Sequence, residues 1–248
     1  MPTASSPWFK DWFNTPYYHA LYAHRSHDEA AAFIQQLIDT LQPPAQATML
    51  DVACGKGRHA RQLAQNGFDV TGIDLSEASI EAAQGDAHDY LHFYQHDMRR
   101  VFRINYFDYV FNFFTSFGYF DHPRDNQRAL RAMATAMKPT GTLVMDFLHV
   151  DHAIRQLVPS EQQQRGNVTF NITREATPTH IIKTIRVTDP ELAQPLVFQE
   201  QVARLTLADF DVLFAQVGLK RVQLWGNYQL ADFDPADSPR LIMMAKRL

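Results

Sequence analysis

The sequence predicts an α/β fold with a mostly parallel main sheet, a small inserted antiparallel sheet and a C-terminal antiparallel strand pair. Over residues 46–159, short apolar strands alternate with helical segments, which is typical of a parallel sheet covered by helices on both faces. Over residues 160–206, extended segments follow one another without helices between them, which indicates an antiparallel sheet. The segments 219–226 and 239–246 are again extended, and we expect them to close the main sheet as its antiparallel pair.

The first part of the chain contains the elements of the parallel core. Residues 17–41 carry an apolar stripe at roughly helical spacing, and Pro43-Pro44 ends that predicted helix. The apolar stretch 48–53 is the first strand, and a glycine loop and a helix at 58–66 follow it, with Gly67 as the expected C-cap. Further strands are expected at 68–73, 90–95, 106–114 and 142–148, with helices after Ser76 and at 123–137 and a turn at 139–141.

The inserted segment contains three predicted strands, at 167–175, 180–188 and 196–206. Prolines mark the turns between them. We expect this small sheet to lie on one edge of the parallel core. A helix at 207–217, with Gly218 as its C-cap, then returns the chain to the main sheet.

Composition bounds the class of protein. The 248 residues carry a net charge of −4 and only short, scattered basic pairs, so no extended nucleic-acid footprint is expected. The one cysteine, Cys54, excludes a disulfide within the chain and fits a reducing cytosol. Residues 1–14 lack the pattern of a signal peptide, and polar residues interrupt the longest apolar stretch, 106–120. We therefore expect a cytoplasmic protein that binds neither nucleic acid nor a membrane.

A glycine loop follows the first strand and precedes a helix, which is a signature of nucleotide sites. The glycines of Asp51-Val52-Ala53-Cys54-Gly55-Lys56-Gly57 permit a tight turn and a close approach of a ligand to the backbone. Gly55-x-Gly57-x-x-Ala60 also satisfies the dinucleotide fingerprint, with Asp74 following 17 residues after Gly57. At this point a nicotinamide-dependent oxidoreductase remains open.

Three further features favour another class. Asp51 stands four positions before Gly55, small residues precede the turn, and Asp97 ends the third strand. With these features the sequence resembles class I S-adenosylmethionine (SAM)-dependent methyltransferases over roughly residues 17–150 and the terminal strand pair. The stretch Leu50–Gly55 is similar to that of glycine N-methyltransferase and its small-molecule relatives. The resemblance implies a Rossmann-like, doubly wound, seven-stranded sheet, and SAM as the cofactor.

The resemblance also implies roles for residues at the strand ends. Asp74 would accept the ribose hydroxyls beside Leu75, and Asp97 would accept the adenine amino group beside Met98, although aspartates after strands also serve as caps or turn residues. Asn112 would accept from the methionine amine, and Ser116 and Tyr119 would face the pocket. The expected cofactor-binding residues are Tyr22, Arg25, Asp51, Ala53, Gly55, Gly57, Asp74, Leu75, Asp97, Met98, Asn112 and Ser116.

Residues 1–45 are expected to form a helical lid, from which Tyr22 or Arg25 reaches the methionine carboxylate. The alternative is a surface helix whose aromatic residues pack on the core. Tyr119 and His149 are the expected catalytic residues, with His149 as a general base or substrate contact. No metal site is expected, because His19 and His24 miss the i, i+4 spacing of a helical zinc pair.

The predicted function is direct in-line transfer of a methyl group to a small-molecule acceptor. Residues 46–159 and 207–248 would form the SAM-binding core, and residues 160–206 would line the acceptor side and set substrate choice. One rival is the nicotinamide-dependent oxidoreductase. Another is a SAM-binding interaction module without transfer activity, whose insertion pairs two copies into a homodimer.

Overall fold

The main sheet of the computed structural model has seven strands, and the structure describes residues 8–23 and 27–248. Its strands are β1 (Thr48–Val52), β2 (Asp69–Asp74), β3 (Leu91–Gln95), β4 (Phe107–Asn112), β5 (Met137–Leu148), β10 (Leu219–Trp225) and β11 (Arg240–Arg247). They lie in the order β10-β11-β5-β4-β1-β2-β3. β1 to β5 pair in parallel, and β11 is antiparallel to both of its neighbours. The predicted fold class is confirmed.

Both faces of the main sheet are buried. In β1, Met49 belongs to one apolar cluster and Leu50 to another, and each is at most 1% exposed. Successive strand residues point to opposite faces, so apolar side chains are needed at every position of such a strand. The described helices are α1 (Trp8–Phe13), α2 (Pro16–Leu21), α3 (His27–Leu41), α4 (Arg58–Gln65), α5 (Glu77–Gln84), α6 (Pro123–Ala136), α7 (Val150–Arg155) and α8 (Leu207–Gln216).

The lengths and apolar character of the helices can be compared with those of membrane-spanning helices. In the part of the chain that the structure describes, no helix combines the length and apolar character needed to cross a membrane.

The inserted segment forms a separate antiparallel sheet of four strands, one more than predicted. The strands are β6 (Ser160–Arg165), β7 (Val168–Ala176), β8 (His180–Thr188) and β9 (Leu196–Ala203), paired in that order. β6 was missed because its sequence, SEQQQR, has no apolar residue. The expected position on one edge of the main sheet was wrong. The small sheet instead packs against α1 and α2, and the Ala203 amide donates to Gly118 O at 2.8 Å, in the loop after β4.

Two other local predictions were wrong. The helix expected at 17–41 is divided: α2 ends at Leu21, and α3 begins at His27. Two acidic residues in the first turn of α3 favour a new helix start there through the helix dipole. The turn expected at 139–141 lies inside β5, where a bulge in the pairing with β4 absorbs the Pro-Thr-Gly segment.

A buried ion pair connects β5 to β11. Asp146 is 1% exposed, and Arg240 approaches its carboxylate through Nε at 2.7 Å and Nη2 at 2.6 Å. Tyr228 Oη donates to the same carboxylate at 3.0 Å, and so does the backbone N–H of Phe114 at 2.8 Å. The arginine also donates to the carbonyl of Phe114, which closes the network onto the loop after β4.

Arg240→Met should lower the free energy of unfolding by about 3–5 kcal/mol, because it leaves the Asp146 charge buried without its cation. Urea denaturation of the two proteins measures this difference. Arg221→Met is the matched control. Its partner Asp211 is 43% exposed, so a loss below about 1 kcal/mol is expected there. Equal losses for the two variants would show that the Asp146 network contributes no more than a surface pair.

Candidate active site

A cavity of about 420 Å³ opens where the parallel strands end. The loops after β1 to β4 form one wall, and side chains of α1 and α2 form the opposite wall. Crevices at the carboxyl ends of such strands are the usual ligand sites of open α/β sheets. Of the residues predicted for the site, the cavity is lined by Tyr22, Ala53, Gly55, Asp74, Leu75, Asp97, Met98, Ser116 and Tyr119.

The glycine loop is held in an unusual backbone conformation. Ala53, Gly55 and Gly57 have φ angles of 60°, 56° and 79°. Gly57 is the N-cap of α4 and lies away from the cavity lining, where a Cβ would come within 2.5 Å of the Phe93 ring. Its role is therefore steric, since no other residue fits both the φ angle and the space.

The carboxylate of Asp74 fastens this loop to the end of β2. Its Oδ2 accepts from the Gly55 N–H at 2.8 Å, and its Oδ1 accepts from the Ser76 N–H at 2.8 Å. Burial raises the pKa of Asp74, and these backbone hydrogen bonds partly oppose that effect. A carboxylate has about four lone-pair sites. The backbone donors therefore leave acceptor capacity on Asp74 for a ligand hydroxyl group.

Asp97 stands at the end of β3 as an ionised acceptor. Arg99 donates to it through Nε at 3.0 Å and Nη2 at 2.7 Å. Burial acts to raise the pKa of Asp97, but the hydrogen bonds and charge of Arg99 outweigh it, so the pKa lies below its ordinary value. Met98 lines the cavity beside this carboxylate and provides an apolar surface.

Asp51 lies beneath the glycine loop, outside the lining of the cavity. It is 1% exposed, and its Oδ2 has no hydrogen-bond partner among the described residues. Burial, and then the nearby charge of Asp74, raise the pKa of Asp51 to about 8. The geometry therefore does not place Asp51 in contact with a ligand in the cavity.

The loop after β4 supplies the third part of the wall. Asn112, expected to face the methionine amine, is fully buried and donates to Val52 O at 2.9 Å, so it ties β4 to β1 instead. Ser116 and Tyr119 do line the cavity, and their hydroxyl groups donate to carbonyls within the loop. Phe114 has a φ of 80° and is held by the Asp146–Arg240 network.

His149, expected to be catalytic, lies outside the cavity lining. It is buried at the start of α7, with Nδ1 2.8 Å from Ser238 O and its ring beside Phe233. The side chain points to the loop 227–238, so a role in general base catalysis has no support in the structure. Arg25 falls outside the described residues.

Tyr22 belongs to the cavity wall and also to a polar cluster behind it. Its hydroxyl donates to Glu200, at 2.7 Å from Oε1, and Lys183 Nζ lies 2.5 Å from the same hydroxyl. Trp12 Nε1 donates to Glu200 at 2.7 Å. The small sheet thus supports α1 and α2 from behind. The expectation that it lines the acceptor side was wrong, since no described residue of 160–206 lines the cavity.

Several wall residues were missed by the sequence analysis. The first helix places Phe9 and Phe13 in the cavity, and the second adds Tyr18 and His19. The aromatic spacing of Trp8, Phe9, Trp12 and Phe13 along one helix face was the available signal. His19 had no comparable signal, because its sequence neighbours do not show which face of α2 meets the cavity.

Comparisons with known proteins agree with this geometry. Residues 49–141 match the family model described as a methyltransferase domain. One relative is YqeM of Bacillus subtilis, which has been given a provisional name as a methyltransferase. It is 31% identical to this chain over 145 residues, and the match covers 57% of this chain and 56% of YqeM. The glycine/sarcosine N-methyltransferase of Parasynechococcus marenigrum is 27% identical over 195 residues, 77% of this chain and 68% of that enzyme.

A solved structure extends the likeness to nearly the whole chain. The SAM-dependent methyltransferase from Clostridium acetobutylicum superposes with a TM-score of 0.77 and 15% identity, over 93% of this chain and 96% of that one. Residues 49–141 therefore match a methyltransferase domain, the chain shares the fold of that SAM-dependent methyltransferase, and the predicted resemblance is confirmed. The first curated relatives are matched over only 56% and 60% of their lengths.

Asp51→Asn should stabilise the protein without ligand, and more strongly as the pH rises. The pKa of Asp51 is about 8 in the folded protein and 3.8 for an ordinary aspartate, so the destabilisation of the fold by its charge is absent below pH 3.8 and complete above pH 8. Asparagine keeps an acceptor for the Ala60 backbone but removes the charge. Urea denaturation of both proteins at several pH values between 4 and 8.5 measures the difference in unfolding free energy. Data at the lowest pH give the baseline, and a difference that stays constant with pH would contradict the assignment.

Proposed function

We propose that this protein is a SAM-dependent methyltransferase that transfers a methyl group to a small-molecule acceptor. The observation that carries the proposal is one cavity that joins the glycine loop to the carboxylates of Asp74 and Asp97, at the ends of adjacent strands. The glycine loop and these two carboxylates together suit a nucleoside. The remaining acceptor capacity of Asp74 can accept hydrogen bonds from ribose hydroxyl groups, and Asp97 can accept one from an amino group. The methyltransferase domain match supports it.

The residues present fit SAM at each part of the molecule. Asp74 and Leu75 would hold the ribose, Asp97 and Met98 the adenine, and the loop at Ala53 and Gly55 the methionine portion. SAM supplies a methyl carbon made electrophilic by the sulfonium. The aromatic faces that close the cavity favour a nearby cation.

The rest of the wall would bind the acceptor. Phe9, Phe13, Tyr18 and Tyr119 form an aromatic end of the cavity, and α1 and α2 cover it. Holding two reactants in line in such an enclosed site can contribute about 7–11 kcal/mol to catalysis. The glycine/sarcosine N-methyltransferase relative supports a small acceptor.

Under this proposal, each segment of the chain has its own role. Residues 1–45 act as the lid, residues 46–159 and 207–248 as the SAM-binding core, and residues 160–206 as the support of the lid. The protein acts in the cytoplasm and does not bind nucleic acid, in keeping with its net charge of −4. Two copies pair through the small sheet, a point that gel filtration would test.

Calorimetric titration with SAM and with S-adenosylhomocysteine tests the cofactor. Wild-type protein should bind both, and Asp74→Asn should bind both about 10–100-fold more weakly, because hydrogen bonds to a charged group contribute about 1.5–3 kcal/mol. Asp69→Asn is the matched control, since Asp69 lies at the opposite end of the same strand. It should bind like the wild type.

A parallel titration with NADH separates the rival enzyme class. NADH binding without any response to SAM would refute the proposal and support the oxidoreductase. Binding of SAM without turnover on a wide panel of small amines, phenols and carboxylates would support an interaction module.

A further inference from the structure

Arg99 is the principal hydrogen-bond partner of Asp97, the carboxylate that follows β3. It donates through three N–H groups. Its backbone N–H and its Nε reach Oδ1 at 2.9 Å and 3.0 Å, and its Nη2 reaches Oδ2 at 2.7 Å. The Arg100 N–H donates to Asp97 O at 2.9 Å, which closes a tight turn around the pair. A planar guanidinium that meets a carboxylate at two points fixes its orientation as well as its charge.

Other groups hold the guanidinium of Arg99 in place. Its Nη1 lies 3.4 Å from Asp125 Oδ2 in the first turn of α6, and its Cζ lies 5.3 Å from the centre of the Phe120 ring. Asp125 is 8% exposed and also accepts from Arg128 at 3.1 Å. The position of the Asp97 carboxylate is therefore set by α6 and by the loop after β4, as well as by its own turn.

The side-chain donors of Arg99 approach Asp97 from outside the cavity. Asp97 and Phe120 belong to the cavity lining, whereas Arg99 and Asp125 lie outside it. A carboxylate has about four lone-pair sites. The three N–H groups of Arg99 therefore leave acceptor capacity on Asp97 for one ligand N–H group in the cavity.

The surroundings of Asp97 also fix its charge. Burial acts to raise the pKa of Asp97, but the hydrogen bonds and charge of Arg99, with the charge of Arg100, outweigh it and lower the pKa. An ionised carboxylate accepts hydrogen bonds and donates none. This point of the cavity wall therefore attracts an N–H group and repels a carbonyl oxygen.

We propose that Arg99 is a positioning residue that holds Asp97 as a fixed, acceptor-only carboxylate, and that the site thereby selects an adenine base over a 6-oxopurine base. The inference rests on the proposed methyltransferase function, in which Asp97 meets the adenine amino group. Adenine carries its amino group at C6. Hypoxanthine carries a carbonyl oxygen there and a proton on the neighbouring N1. A carboxylate fixed opposite the group at C6 pairs with adenine, repels the carbonyl oxygen of hypoxanthine, and does not turn towards its N1–H.

The choice between two nucleobases tests this role without knowledge of the acceptor. S-inosylhomocysteine is S-adenosylhomocysteine with hypoxanthine in place of adenine. Calorimetry should show that the wild type binds the adenine compound about 10–100-fold more tightly, as expected for a hydrogen bond to a charged group. Arg99→Met removes both side-chain donors and the positive charge. It should weaken S-adenosylhomocysteine binding and reduce the preference to less than about threefold, because a released Asp97 can turn to accept from either base.

Two further variants sharpen the comparison. Arg128→Met is the matched control, since it removes the other arginine bound to Asp125, is 62% exposed, and leaves the three donors to Asp97 in place. It should keep the affinity for both ligands within about twofold of the wild type. Arg99→Lys keeps the charge but replaces the planar fork by one ammonium group, so it should restore affinity for S-adenosylhomocysteine more than it restores the preference.

Circular dichroism and thermal melting check that each variant is folded. If Arg99→Met does not fold, the Nε–H resonance of Arg99 in the wild type gives the answer. At saturation it should shift with S-adenosylhomocysteine and shift less with S-inosylhomocysteine, because only adenine forms a hydrogen bond to the carboxylate that Arg99 holds. Equal shifts with the two ligands would contradict the proposal.

The outcomes separate the two proposals. A loss of the preference in Arg99→Met, with Arg128→Met like the wild type, supports the role of Arg99. A wild type without a preference, or a preference that Arg99→Met leaves intact, would overturn that role while S-adenosylhomocysteine binding keeps the cofactor assignment. Full recovery of the preference in Arg99→Lys would show that charge alone suffices and would overturn the positioning role. Failure of the wild type to bind S-adenosylhomocysteine would overturn the methyltransferase function itself.

Discussion

Asp146 carries a charge into the interior of the main sheet, and the arrangement of the cavity wall depends on how that charge is satisfied. Its partners come from three places: Arg240 on β11, Tyr228 in the loop before it, and the backbone of Phe114 after β4. Because an uncompensated buried charge is costly, these groups must converge on one geometry. The left-handed backbone of Phe114, and the course of the loop that carries Ser116 and Tyr119, follow from that convergence.

The opposite wall has a comparable basis in Glu200. Its carboxylate accepts from Trp12 and Tyr22, and Lys183 lies 3.6 Å from it. The small sheet thereby holds the lid by a few directed polar contacts and by the apolar cluster around Trp12 and Leu21. The small sheet would therefore influence acceptor binding indirectly, because it determines the positions of the aromatic residues of α1 and α2.

The sequence predicts the features that follow from the succession of strands and loops along the chain. It predicts fewer of the contacts between residues that are far apart in sequence. Asp74 and Asp97 could be found because parallel strands bring their carboxyl ends to one edge, whichever helices connect them. Arg240 could not, since its partner Asp146 lies 94 residues earlier and nothing local marks the pair. His149 was predicted to be catalytic from its place after the fifth strand, and only the packing of the chain shows that it faces Ser238 instead of the cavity.

The separation of Arg240 from the loop it braces has a consequence for biosynthesis. Phe114 leaves the ribosome 126 residues before the arginine that binds its carbonyl. Until then, a nascent chain holds Asp146 without its cation, so the cavity wall is completed after most of the parallel core has been translated. Emerging domains with exposed, incompletely packed surface are prone to misassociate. For this chain, maturation of the ligand site is thus a late event of synthesis, and a ribosome that stalls before residue 240 leaves a core without a finished pocket.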